Sequence, residues 1–353
     1  MSDVLAVATT LGHLDLYDAA TLESIGRIDG LIAQPHELAW DPNRRLLYLT
    51  HTYRAGGYGE AKDAGHEVSI IDPAIPVVIE VIDTRPYLAP HDVEIDPVLD
   101  RLYVSIEDRG GHNGIAVIDL TTRKVIGNIA LPEANCHWMA ITPDGKLAVT
   151  AHKEAGSLTV VDLGAGAVAG SIPCPGGAEE VDVSPDGRFA YAATPLMAVD
   201  VNVKQGAFNR RPPGPGTLPS RILKIDLATR EVVGELAIDE VLCALRVAPD
   251  GNFLVGEVFF PDPEDPDATP VPGKVHRVDT STMTIRASYP AEDFPFTIRC
   301  SPDGSTACIA NLMSGTVTVV DLITDTVTGT IAHHAGGGFG GTHGLAWIPE
   351  GDR

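Results

Sequence analysis

CHWMAITPDGKLAVTAHKEAGSLTVVDL (136–163) reads as three extended runs separated by two turns. The first run, CHWMAI, stops at Thr-Pro-Asp-Gly, where proline pre-sets one turn dihedral and glycine supplies the left-handed one. KLAVTA follows as an alternating, half-buried strand pattern, and LTVVDL ends at an aspartate that starts the next turn. The same unit recurs along the chain. SPDG (184–187), APDG (248–251) and SPDG (301–304) repeat the turn, and DPNR (41–44) and DPVLD (96–100) are degenerate copies. Runs such as HELAWD and EEVDVS precede the turns. LLYLTH, RLYVSI, RFAYAA, NFLVGE and TACIAN come after them. Third runs are VSIIDP, IAVIDL, ILKIDL and TVTVVDL, and a short apolar fourth appears as KVIGNIAL or TVTGTIA.

Four short antiparallel strands per repeat, at a period of roughly 40–60 residues, are the pattern of propeller blades. No window sustains the 3.6-residue period of stacked helices. The chain stops after one first-strand copy, HGLAWIP (343–349), and opens with three strands that lack one, around VLAVATT, HLDLYD and ESIGRID. Joined, about 4–29 plus 343–349 make one blade and close the ring, which removes exposed sheet edges. The expectation is an all-β, seven-bladed β-propeller occupying 1–353 as a single domain. LYLTH and LYVSI beside the proline turns, with the VVDL and VIDL third strands, resemble the YVTN-repeat β-propeller family over nearly the whole chain. The resemblance implies the fold and leaves the activity open.

Composition narrows the partners. A formal charge of −23 lacks the basic footprint that nucleic acid or an anionic membrane surface requires. The five cysteines, Cys136, Cys174, Cys243, Cys300 and Cys308, are irregularly spaced inside apolar runs and form no CxxC pair. They read as reduced core thiols, and a cytoplasmic location is expected. The start MSDVLAVATT has no basic segment before a long apolar one, so no leader is expected. No apolar run is long enough to span a membrane.

The residue six positions before each turn proline carries the chemistry. In order these are His36, His91, His137, Glu179, Cys243, Phe296 and His343. The first strand of a blade lies nearest the axis, so all seven face one channel mouth. Blades seven, one, two, three and four are contiguous, and they supply His343, His36, His91, His137 and Glu179. Several neutral imidazoles with an open position favour a divalent transition metal, Fe(II) or Cu before Mn or Zn. Glu179 is expected as a fifth ligand or as a base. Glu37, Asp92 and Glu180 directly follow ring members and are expected to accept from the outer nitrogen of a ligating histidine. Glu107 and Glu257, at the ends of second strands, are weaker candidates of that kind.

Cys243 and Phe296 leave an apolar flank where a small organic substrate can lie. His51 and His152, at the channel-face ends of second strands, are expected to act as acid–base groups. Long insertions at 52–66, 195–220 and 258–274 fall on the same face as lids, and Arg210 and Arg211 in the second are expected to meet an anionic substrate group. His333 and His334, in a glycine-rich stretch, read as surface, and His13 and His276 carry no signal. Four histidines on a seven-bladed axis are similar in plan to the iron site of the carotenoid-cleavage oxygenases. Some propeller polysaccharide lyases and a sulfur-oxidising copper propeller look alike in the same respect. The reading is a metal-dependent oxidoreductase or oxygenase. A metal-assisted lyase or hydrolase of a lactone or carboxylated substrate, and a non-enzymatic interaction module, stand as alternatives.

Overall fold

A computed structural model of the chain describes residues 2–54, 64–107, 111–153, 155–194, 220–259, 269, 271–333 and 341–351. Among these the elements are 28 β-strands, paired into seven four-stranded sheets. Six blades are continuous in sequence, with inner strands Pro35–Asp41, Pro90–Asp96, Cys136–Ile141, Glu180–Val183, Val241–Val247 and Pro295–Cys300. The seventh takes its inner strand, Thr342–Ile348, from the C-terminal end. Its other strands, Val4–Thr9, His13–Asp18 and Ser24–Ile28, come from the N-terminal end. Val7 faces Leu345 and Val4 faces Ile348 across that seam. Inner strands of successive blades touch all the way round, the last against the first. The ring closes as the sequence predicts.

The turn chemistry is that of the repeat. Gly145, Gly187, Gly251 and Gly304 take φ of 69°, 70°, 85° and 72° in the Pro-Asp-Gly turns. In the two degenerate copies the turn is one residue longer, and Arg45 and Asp100 hold the left-handed place at 57° and 54°. The aspartate ending each third strand caps its own turn: Asp226 Oδ1 accepts from Ala228 N at 3.0 Å, and Asp321 Oδ1 from Ile323 N at 2.7 Å.

A propeller sheet turns its two faces toward the flanking blades, so the core is a set of seams between blades. Trp138, Ala140 and Val149 of blade three interlock with Val181, Ala190 and Leu223 of blade four. Each large apolar side chain removed from water this way stabilises the fold by roughly 1.5–3 kcal/mol. Tyr48, Tyr103 and Tyr191, each six residues after a turn proline, are buried at the same place in three second strands. Only strand ends and bulges reach the axis, and this decides which residues can form a site there.

Candidate metal centre on the propeller axis

Two local devices aim the ring residues inward. The residue two before the ring member is left-handed in five blades: Gln34 (φ 50°), Ala89 (54°), Asn135 (55°), Gly177 (76°) and Phe294 (64°). A bulge then falls on the ring member itself. Pairing jumps from Pro35 to Leu38, from Pro90 to Val93, from Cys136 to Trp138 and from Pro295 to Thr297. An extra unpaired residue bends the strand and redirects its side chain. Hydroxyls from the preceding blade pin the ring backbone: Thr50 Oγ1 donates to His91 O at 2.6 Å, and Ser105 Oγ to His137 O at 3.0 Å. These are the Thr of LYLTH and the Ser of LYVSI.

The four imidazoles form a continuous arc. Ring centroids lie 3.8 Å apart for His343 and His36, 4.4 Å for His36 and His91, and 3.8 Å for His91 and His137. His36 Nε2 and His91 Nε2 are 2.9 Å apart. Two nitrogens bound at a right angle to a metal at about 2.0–2.1 Å would be separated by about that distance. His137 donates Nδ1–H to the Glu179 carbonyl at 2.9 Å. Its Nε2 lone pair therefore points inward, 3.5 Å from Glu107 Oε1 and 3.7 Å from Glu179 Oε1. Candidate ligand atoms of His91, Glu107 and His137 all fall within 4.8 Å of one another, so the donor set fits a metal ion. Burial, reinforced by neighbouring histidines and Lys153, holds His36, His91 and His137 well below the usual imidazole range. All three are neutral near pH 7, the form that binds metal.

Glu107 gains rank over its sequence standing. It stands just past the second strand of blade two, Arg101–Ile106, and Tyr53 donates its hydroxyl to Glu107 Oε2. Lys153, one residue past Leu147–His152 of blade three, escaped the sequence reading. Its Nζ lies 2.8 Å from Glu179 Oε1. Both come from second-strand ends, where the repeat imposes no residue type.

The three acids after ring members divide. Glu37 Oε1 sits 3.0 Å from His343 Nδ1, short of hydrogen-bond alignment, and Glu37 Oε2 takes Arg299 Nη2 at 3.3 Å. Asp92 and Glu180 meet no imidazole among the described contacts. They point toward the neighbouring blade and accept from its backbone, Asp92 from Met139 N at 3.0 Å and Glu180 from Leu245 N at 2.6 Å. Burial raises both carboxyls well above their ordinary range. Their expected role as histidine partners is corrected to blade-to-blade ties. Three residues before the turn proline, Glu94, Asp182, Arg246 and Arg299 make a deeper charged belt, with Arg246 Nε 3.5 Å from Asp182 Oδ2.

His51 and His152 do not reach the axis. His51 Nε2 pairs with Ser69 Oγ at 2.8 Å, and His152 lies between Thr150 Oγ1 and Thr159 Oγ1 at 3.0 and 3.2 Å. Both rings lie within their own sheets, buried, so their expected acid–base role is not met. Glu257 is likewise occupied, by His276 Nε2 at 2.9 Å. Cys243 and Phe296 stand on the ring as expected, inside an apolar cluster with Val241, Val258, Phe294, Leu312 and Met313. The Phe296 ring meets His343 edge-on at 4.8 Å. Burial raises the Cys243 thiol well above its usual range, which leaves it protonated. Arg210 and Arg211, His334 and most of the three lid insertions lie outside the described residues.

A second cluster joins His13, Asp15 and His333 near the seam of blades six and seven. Asp15 already takes Arg27 through Nε at 2.5 Å and Nη2 at 2.7 Å, with His333 Nδ1 at 3.1 Å. A cation there would meet the Arg27 guanidinium, so the group acts as a latch between blades.

No family model matches the chain, and no curated protein does. Solved structures share its fold. One is a chain of hydrazine synthase from Kuenenia stuttgartiensis, similar at a TM-score of 0.64 and 20% identity over 82% of this chain and 76% of that one. At that identity the likeness shows the propeller fold alone.

Proposed function

We propose that the chain is a metal-dependent enzyme whose divalent transition metal is held by His36, His91, His137 and His343, with Glu107 and Glu179 as carboxylate partners. One observation carries the reading. Buried imidazoles held neutral converge with Glu107, His137 presents a tautomer fixed by the Glu179 carbonyl, and two ring nitrogens are spaced as adjacent ligands of one ion. A buried polar cluster of this kind is costly unless something satisfies it. When bound, Fe(II) or Cu would supply one-electron chemistry and Lewis acidity, and an oxidoreductase acting on a small organic substrate is the class this donor set favours. The protein's share is to hold Nε2 of His137 unprotonated, to orient Glu107 through Tyr53, and to keep an apolar wall at Cys243 and Phe296 beside the ring.

Metal analysis of tag-free protein tests this. About one transition metal per chain is expected, and the content should fall in His91→Ala and in His137→Ala. Unchanged metal content in both variants would sink the proposal. Dioxygen uptake during turnover then separates oxidative chemistry from a lyase or hydrolase.

A further inference from the structure

Lys153 is a buried side chain one residue past the second strand of blade three, beside the ring. Its backbone is clamped. Ala178 N donates to His152 O at 3.0 Å, and a Cβ at Gly177 would stand 2.1 Å from Lys153 O, so only glycine permits the approach. The side chain then reaches Glu179 Oε1 at 2.8 Å, and that same oxygen is 3.7 Å from His137 Nε2. Glu179 thus lies between the ammonium and the metal position. On the next blades the equivalent places are Cys243 and Phe296, backed by Val241, Val258, Phe294 and Leu312. Glu179 and Cys243 hold successive ring places, so Lys153 meets the ring one blade away from that wall.

We propose, resting on the metal-centre reading above, that the site takes a small monocarboxylate, whose carboxylate is anchored by Lys153 and whose apolar body lies against Cys243 and Phe296. The selection follows from charge count and shape. A single ammonium matches a single negative charge. The nearest guanidiniums on the described inner strands are engaged elsewhere, Arg299 with Glu37 and Arg246 with Asp182, so no bidentate fork for a phosphate dianion is presented. Glu179 Oε1 is shared between Lys153 and His137, so a metal held by the ring would compete with Lys153 for that carboxylate and favour pairing of the ammonium with an incoming anion. An uncharged amide of the same shape gains the wall and loses the ion pair.

The test is calorimetric binding of benzoate against benzamide, with metal-stripped and Co(II)-loaded protein. Wild type should prefer benzoate by roughly tenfold or more, the size of one charge-assisted hydrogen bond. The preference should be greater with metal bound. Lys153→Met should bind the two ligands alike. Lys153→Met/Glu179→Gln, which leaves no buried carboxylate unpaired, guards against a misfolded single variant, and Lys153→Arg should keep part of the preference. Equal binding of the two ligands by wild type, binding of neither at millimolar concentration, or a preference that survives Lys153→Met overturns the anchor. A benzoate preference in a protein that takes up no metal would instead overturn the metal centre and leave the anchor standing.

Discussion

His51 offers a sharp test of how the blades are built, because its sequence position suggests catalysis and its surroundings do not. The ring is enclosed between the second and third strands of blade one and bonded to Ser69, and burial pushes its pKa down to about 4. The unfolded chain titrates near 6.5, so the folded value lies below the unfolded one. Its contribution to stability is therefore complete above pH 6.5 and declines as pH falls toward 4. The full span is worth about 3 kcal/mol, and between pH 7 and pH 5 the loss comes to about 2 kcal/mol. His51→Gln keeps a donor for Ser69 and has no proton to take up. The variant should start less stable at pH 7, by about 1–3 kcal/mol for the altered packing and hydrogen bonding. It should then lose about 2 kcal/mol less than wild type on going to pH 5. Urea unfolding of metal-stripped protein at the two pH values measures both quantities. Metal content of the variant should match wild type. Equal losses of stability in the two proteins would refute the enclosed, neutral imidazole, and a selective loss of metal would return His51 to the site.

Three further outcomes follow from the geometry. Glu180→Ala removes the acceptor of the buried Leu245 N–H, so it should destabilise by about 1–3 kcal/mol in urea and leave metal stoichiometry unchanged. Gly344→Ala places a Cβ 2.1 Å from the His36 carbonyl oxygen, at the seam where His343 meets His36. It should cost about 3 kcal/mol and lower metal content together, read by thermal unfolding and metal analysis. Trp138 lies 6.1 Å from His91 and 6.4 Å from His137, ring to ring, so Cu(II) should quench its fluorescence, and Trp138→Phe should lose most of that quenching. Quenching that persists in the variant would put the copper elsewhere.

The repeat made the ring legible. A propeller fixes which strand is innermost, and a turn proline at constant spacing turns a column of residues into a circle, so His36, His91, His137 and His343 needed no structure to be grouped. What the column could not give was direction off the axis. Asp92 and Glu180 are one residue from ring members, yet a blade presents alternate side chains to its two neighbours, and both acids tie the next blade. His51 and His152 sit near the correct face but point within their sheets for the same reason. Glu107, Tyr53 and Lys153 enter from second-strand ends whose lengths vary, so no column marks them. The left-handed residues before ring members include Gln34, Ala89 and Phe294, types with no preference for that conformation. The bulge that aims the ring leaves no compositional mark at those places.

The charges around the ring argue that metal and anion belong together. Glu37, Glu107 and Glu179 bring three acidic side chains, and Arg299 and Lys153 bring two basic ones in direct contact with Glu37 and Glu179. Burial raises the Asp92 and Glu180 carboxyls well above their ordinary range, and it holds His36, His91 and His137 well below the usual imidazole range. The acidic side chains thus outnumber the basic ones three to two, a difference that a dication together with a single monocarboxylate would offset. In a buried site an unbalanced charge is expensive, so the two together lower that cost. A ring built only to carry water would need neither Lys153 nor a carboxylate shared between that ammonium and His137.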